Sequence, residues 1–215
     1  MAIRNIDDFF SLLAEDSQRR RRELITIREL IKNNREHEQK VLCRMAIMIA
    51  YAHWEGFVES TSIHYVEYVE SKGTLFEELS LNFQVLAYKK EMLEFGESPR
   101  KITPYFKLLE LRGTRVKFNA KNKKIIEANA NLNYENFKNI CQSVGVSCGE
   151  GSYWSKQEPY INELVKFRCS IAHGGLDTHR YKYTDEVLCK VMEFIERYQT
   201  DLENLAVTDA HFEPG

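Results

Sequence analysis

Proline and glycine are scarce in this sequence, which contains only four prolines and ten glycines among 215 residues. Tight turns depend on these residues, so their scarcity argues against a strand-rich fold with frequent turns. Charged residues make up 29% of the chain and hydrophobic residues 43%, a composition that favours a folded, largely helical protein. The length suits a single domain, spanning residues 1–215, with room for one insertion.

The sequence also lacks paired cysteines and metal-binding clusters. Its five cysteines are scattered, and none forms a CxxC pair or stands with histidines at a zinc-binding spacing. No group of Asp and Glu resembles those that hold catalytic Mg²⁺. We therefore expect reduced thiols, no metal site and no cofactor.

Long uncharged runs are missing as well. One of the longest, from Met45 to Trp54, is far short of the roughly 20 residues that span a bilayer. The first ten residues, MAIRNIDDFF, are acidic where a signal peptide has its apolar core. These features predict a soluble cytoplasmic protein without a membrane partner. Because the net charge is −2, any nucleic-acid binding must come from a local basic patch.

Hydrophobic residues recur at spacings of three and four in four long segments, each of which predicts a helix. The second segment is apolar almost all round in its first half, so we expect a central, buried helix. Ser155 and Glu158 predict a capping box at the start of the third segment, and Thr184 predicts the cap of the fourth. The four segments are 6–33, 36–71, 155–173 and 185–205. The run RRRR at 19–22 is expected on a solvated face of the first helix.

The middle of the chain, from about 75 to 150, is less regular. Helices are predicted at 75–95, from Thr103 to about 111, and at 134–144. Between them, residues 112–124 contain six basic residues and no acidic one. The sequence as a whole predicts an all-α four-helix bundle with a helical and irregular insertion in its middle.

The stretch LVKFRCSIAHGG, residues 164–175, holds an arginine and a histidine five positions apart near a helix end marked by two glycines. One interpretation is structural, since a histidine at a helix C-terminus often only complements the helix dipole. The other is an active site. At about 100° per residue, Arg168 and His173 lie about 140° apart around an ideal helix, so they do not share a face. Unwinding at the diglycine, or a second copy of the chain, would be needed to bring both to one reactive atom.

The two residue types suit phosphodiester chemistry. A guanidinium binds phosphate in a bidentate manner and stays charged at any working pH. An imidazole titrates near neutrality and can move a proton to or from a hydroxyl. Together, Arg168 and His173 are the residues expected for RNA cleavage without a metal.

The motif ELVKFRCSIAHGG (163–175), together with AYAHWEGFVE (50–59), resembles the HEPN superfamily, and especially its bacterial nucleases of toxin–antitoxin and antiviral-defence loci. The resemblance implies a homodimeric, metal-independent endoribonuclease that leaves a 2′,3′-cyclic phosphate and is restrained by a partner such as an antitoxin. It assigns phosphate contact to Arg168 and general acid/base catalysis to His173. The sequence departs from the family at Cys169, where many members have a polar residue. A non-catalytic helical module that binds RNA, a nucleotide or a protein is the alternative.

Further residues are candidates for supporting roles. Glu55 is interpreted either as a carboxylate that orients Arg168 or His173, or as a surface residue beside a packed tryptophan. Ser170 could touch a phosphate or bond back to a helix carbonyl. The basic stretch could hold RNA, with Phe118 stacked on a base, or form a solvated loop. The candidate RNA-binding residues are Arg112, Arg115, Lys117, Lys121, Lys123, Lys124, His179 and Arg180.

Overall fold

The structure is a computed structural model that describes residues 3–95, 102–120, 125–128, 131–175 and 181–212. These residues contain helices and no strands beyond two isolated bridges, which confirms the all-α prediction. The helices are α1 (Ile6–Lys32), α2 (Glu36–Ser71), α3 (Leu81–Phe95), α4 (Thr103–Leu109), α5 (Tyr134–Val144), α6 (Glu158–Ala172) and α7 (Tyr181–Val207). Short 3₁₀ turns lie at Phe76–Glu78 and Trp154–Gln157.

Helix α2 is the centre of the fold, as its apolar composition predicts. It packs against α1, α6 and α7 to form the bundle, and α5 adds a further contact. Trp54 on α2 is fully buried, with the rings of Phe137, Trp154 and Phe194 all within 6 Å of its own ring centre. By length and composition α2 alone among the described helices could cross a membrane, but half of its most apolar window is buried inside the protein.

The arginine run 19–22 is not the uniformly solvated face that its charge predicts. Arg20 is only 9% exposed, and its guanidinium bonds to Asp16 Oδ1 at 3.0 Å and to the His53 carbonyl at 3.1 Å. It lies so close to α2 that a Cβ at Gly56 would stand 3.0 Å from Arg20 Nη1. The glycine of HWEGF therefore makes room for Arg20, which forms an ion pair with Asp16 within α1 and packs against α2. Burial also lowers the pKa of His53, although Glu23 opposes this effect.

The predicted starts of the last two helices are wrong. Ser155 lies within a 3₁₀ turn, where its hydroxyl donates to the Ser152 carbonyl, and α6 begins at Glu158. Pro159 explains the difference, because its missing N–H and fixed φ favour the first turn of a helix. Helix α7 already begins at Tyr181, so Thr184 is a buried residue inside it and not its cap.

The middle of the chain is attached to α2 by hydrogen bonds in which carboxylates of α2 accept backbone N–H groups of the middle segment. Glu70 accepts from the N–H groups of Phe118 and Asn119 at 2.8 and 3.0 Å, and Glu59 accepts from Ala128 at 2.6 Å. Phe118 is 1% exposed and packs edge-on against Phe83. Its predicted stacking on an RNA base is therefore wrong, because the ring belongs to the hydrophobic core.

We expect Arg20→Ala to lower the free energy of unfolding by about 2–3 kcal/mol, because Asp16 would lose a buried ionic partner and Phe57 its covering guanidinium. Arg22→Ala is the matched control from the same run, since Arg22 is exposed and bonds only within α1; its effect should stay within about 0.5 kcal/mol. Urea unfolding of both variants measures the difference. Equal losses would show that burial does not distinguish the two arginines.

Candidate functional site

Arg168 lies on α6 where this helix crosses α2. Its guanidinium lies over the ring of Tyr51, 5.0 Å from the ring centre, and Nη1 donates to Asn131 Oδ1 at 2.9 Å. The side chain is half-buried. Three distant parts of the chain, namely α2, α6 and the segment before α5, thus meet at this one guanidinium.

Tyr51 is the buried support of this site, with 2% of its surface exposed. Its hydroxyl donates to Glu55 Oε1 and accepts from the Leu132 N–H at 2.8 Å. Burial, together with the bond to Glu55, raises the pKa of the Tyr51 phenol well above its usual value. The phenol therefore stays neutral, and it holds the Asn131 segment in place through its backbone.

Neither of the two interpretations of Glu55 that the sequence left open describes it fully. It is half-buried, and its carboxylate binds the Tyr51 hydroxyl. Among the described residues it forms no ion pair with Arg168 or His173. Glu55 is thus connected to the guanidinium only through the tyrosine that supports it.

His173 ends α6, and its backbone N–H donates to the Cys169 carbonyl at 3.1 Å. The residue is exposed, and within the described part of the chain its imidazole makes no hydrogen bond. The chain then turns sharply, with Gly174 at φ +80°. A Cβ at Gly175 would lie 2.8 Å from the Ser170 carbonyl oxygen, so both glycines are required for this turn.

The C-terminal part of α6 is more open than its apolar pattern predicts. Ile161 and Leu164 are buried, but Val165 and Cys169 are only half-buried and Ala172 is exposed. The buried apolar residues of α6 therefore end at Leu164, about one turn before Arg168, and the R-x4-H motif lies at the surface of this chain. Arg168 faces α2, while His173 lies at the free end of the helix.

No carboxylate neutralises Arg168 within the described residues. The groups that contact its guanidinium are an amide oxygen, the Cys169 thiol at 3.9 Å and the Tyr51 ring, all of them neutral. A partly exposed guanidinium without a counter-ion keeps its charge and its remaining N–H groups free to bind an anion from solution. This guanidinium is therefore available to an anionic ligand.

The predicted supporting residues are distributed unevenly. Cys169 contacts Asn131 Oδ1 at 3.6 Å, and Ser170 packs against the diglycine turn, so both lie beside the motif.

Arg112, Arg115 and Lys117 are exposed, but Arg115 lies beside Gly73, beyond the end of α2. Since Tyr51 is 22 residues earlier than Gly73, Arg115 is about 30 Å from Arg168 along this helix. Within one copy the structure does not bring Arg115 to the motif. Outside the described residues lie Lys121, Lys123, Lys124, His179 and Arg180.

Two residues of this site were not predicted as functional from the sequence. Tyr51 belongs to the AYAHWEGFVE motif, but the motif by itself assigns no role to its side chain. Asn131 lies in the irregular middle, where no local pattern distinguishes it. For Tyr51, the available signal was a tyrosine within the apolar first half of α2. For Asn131 there was none, because its contact with Arg168 depends on how the whole middle segment lies against α2.

The α2-centred bundle, with an arginine and a histidine at a glycine-terminated helix end, defines a HEPN-type domain. Comparison with known families agrees: the sequence model of the MAE_28990-like HEPN family matches residues 9–208. The chain therefore belongs to the HEPN superfamily, and the match runs through the middle segment as well as the bundle. No curated protein and no solved structure gave a significant match.

We expect Tyr51→Phe to lower the free energy of unfolding by about 1–2 kcal/mol, because the Leu132 N–H would be left buried without an acceptor. The phenyl ring would still support Arg168. Tyr105→Phe is the matched control, since Tyr105 is 55% exposed on α4, and it should be nearly neutral. Thermal or urea unfolding of the two variants provides the comparison. A neutral Tyr51→Phe would mean that its hydroxyl does not hold the middle segment.

Proposed function

We propose that this protein is a metal-independent endoribonuclease whose reaction depends on Arg168 and His173. The observation that carries the proposal is the half-buried guanidinium of Arg168, which lies five positions from the exposed imidazole of His173. Among the described residues the guanidinium has no counter-ion and the imidazole has no hydrogen-bond partner. An anion-binding group and a proton-transfer group are the minimum that phosphodiester cleavage requires. Membership of the HEPN superfamily supports the same class of reaction.

In the proposed reaction an imidazole takes the proton of the ribose 2′-OH, and the resulting oxygen attacks the adjacent phosphorus. Arg168 stabilises the additional negative charge on the phosphorane, where a preorganised cation is most effective. The P–O5′ bond then breaks, and a protonated imidazole donates a proton to the departing 5′-oxygen. The products are a 2′,3′-cyclic phosphate and a free 5′-hydroxyl, and no water is consumed in this step.

A second copy of the chain is part of the proposal, because one copy directs the two residues to different sides. An exposed apolar surface supports this arrangement. Its apolar residues are the exposed Val41 and Met45 and the half-buried Met48 and Ile49 on α2 and Ile171 on α6, and Arg44 lies beside them. Ile171 lies between Arg168 and His173 in the chain, so this surface continues directly from the motif. Pairing two such surfaces about a two-fold axis would bring two motifs together while removing apolar area from water.

The biological role proposed with this activity is that of a toxin or antiviral-defence effector, acting in the cytoplasm and restrained by an antitoxin or similar partner. The resemblance to bacterial HEPN nucleases supports it. The second candidate is a non-catalytic HEPN module that binds RNA, a nucleotide or a protein. It is favoured by Cys169, which stands where many family members have a polar residue, and by the bond between Arg168 and Asn131, which would also suit a structural arginine.

We expect His173→Ala to abolish RNA cleavage in the presence of EDTA and Arg168→Ala to reduce it at least a hundredfold. The assay follows a single-stranded RNA and identifies the 2′,3′-cyclic phosphate end. His37→Ala is the matched control, because His37 is exposed at the start of α2, and it should cleave like the wild type.

A His173→Ala variant that cleaves RNA as well as the wild type does would contradict the assignment. Wild-type protein that binds RNA without cutting it would favour the non-catalytic module. Expression in a bacterial host gives an independent measure, since an active ribonuclease slows growth and Arg168→Ala should relieve the effect.

We expect Met45→Glu to convert a dimer to a monomer and to abolish cleavage, because it places a charge in the proposed apolar interface. Met45 is 53% exposed, so the substitution should not disturb the folded monomer. Val207→Glu, at a 64% exposed position near the end of α7, is the control. Sedimentation or light scattering at several concentrations reports the oligomeric state. A Met45→Glu variant that cleaves as a monomer would overturn the composite site.

A further inference from the structure

Among its described residues, the middle segment contributes the side chain of Asn131 to the Arg168 site. Its Oδ1 lies 2.9 Å from Arg168 Nη1 and 3.6 Å from Cys169 Sγ. A guanidinium has only donors, so the amide oxygen must face it and Nδ2 must point elsewhere. Within the described part of the chain, Nδ2 has no acceptor. Asn131 therefore keeps one polar group for a ligand.

The backbone around Asn131 is fixed from both sides. Its carbonyl accepts from Asn136 Nδ2 at 2.7 Å and from the Asn133 N–H at 3.0 Å. The neighbouring Leu132 N–H bonds to Tyr51 on α2, and the Tyr134 N–H bonds to Asn162 on α6 at 2.9 Å. Four residues are thus held between two helices of the bundle. The amide of Asn131 is presented from a rigid base, as a preorganised binding group requires.

The amide also has the right charge for this position. A carboxylate there would pair with Arg168 and cancel the positive charge that a phosphate needs. A neutral oxygen fixes the orientation of the guanidinium through one N–H and leaves its charge and its other N–H groups to a ligand. Arg20 shows the contrast, because in the same molecule it is paired with Asp16.

We infer that Asn131 and Arg168 together bind the RNA phosphate: Oδ1 positions the guanidinium, and Nδ2 donates to the same phosphate. The inference rests on the proposed function in taking RNA as the ligand. It extends the site from the two helices of the motif to the irregular middle of the chain.

Asn131→Asp tests the charge of the site, because it keeps the shape of the side chain and an oxygen for Arg168 while adding a negative charge. If Arg168 made no contact with the RNA phosphate, this variant would bind RNA normally and would be as stable as the wild type or more so. If Asn131 belongs to the phosphate site, RNA binding should weaken at least tenfold, about as much as in Arg168→Ala. The slope of log affinity against log salt should also become shallower by about 0.7–1, since one phosphate contact is lost.

Binding is measured with a fully 2′-O-methylated single-stranded RNA, which cannot be cleaved by 2′-OH attack, and kcat and KM with the unmodified strand. Asn204→Asp is the control for added charge, because Asn204 is exposed near the far end of α7, about 30 Å along that helix from its start. It should bind within twofold of the wild type. Thermal unfolding verifies that each variant is folded. Asn131→Ala tests Nδ2 by itself, and it remains available if Asn131→Asp does not fold. It removes this donor and leaves the charge of Arg168, so affinity should fall while the salt slope stays as in the wild type.

The outcomes separate this inference from the proposed function. Cleavage by the wild type together with normal RNA binding by Asn131→Ala would overturn the inference alone. Binding without cleavage by the wild type would overturn the ribonuclease proposal, and the two Asn131 variants would still decide the phosphate pair. A wild-type protein that neither binds nor cleaves the RNA would overturn both.

Discussion

Tyr51 is the residue on which the arrangement of the site depends. Its ring supports the guanidinium of Arg168, and its oxygen accepts the N–H of Leu132 while donating to Glu55. A buried phenol must satisfy its hydroxyl, and here both partners are supplied, one from its own helix and one from the middle segment. Packing of the core thus fixes the phenol, and the phenol in turn fixes both polar elements of the site. An aliphatic residue at this position would fill the space but would hold neither.

The distribution of carboxylates on α2 explains why Arg168 remains uncompensated. Glu70 and Glu59 accept backbone N–H groups of the middle segment, and Glu55 accepts the Tyr51 hydroxyl. Each is therefore committed to holding the chain in position. The protein does pair a buried arginine where a ligand is not involved, as it does with Arg20. The absence of a counter-ion at Arg168 within the described residues is thus a local property of the site and not a general feature of the fold.

Much of the fold could be predicted from the sequence because its helices are long and strongly periodic. The bounds of α2 and α5 and the extent of α1 follow from apolar spacing and helix-stop signals within each segment. The start of α6 was predicted wrongly because a capping-box pattern at Ser155 competes with Pro159, and the proline determines where the α-helix begins. The burial of Arg20 could not be predicted, since the space it needs is created by Gly56 on another helix, 36 positions away.

The site shows the same division between local and long-range information. Arg168 and His173 stand out because their spacing, and the glycines after them, are local features. Asn131 does not, because its role is created by two bonds that attach its neighbours to α2 and α6. The position of such a residue is set by the path of the backbone, so the residues next to it in the sequence do not reveal its role. The irregular middle is the part of a HEPN domain where such residues would be missed most easily, since its conformation is set by its contacts and not by its periodicity.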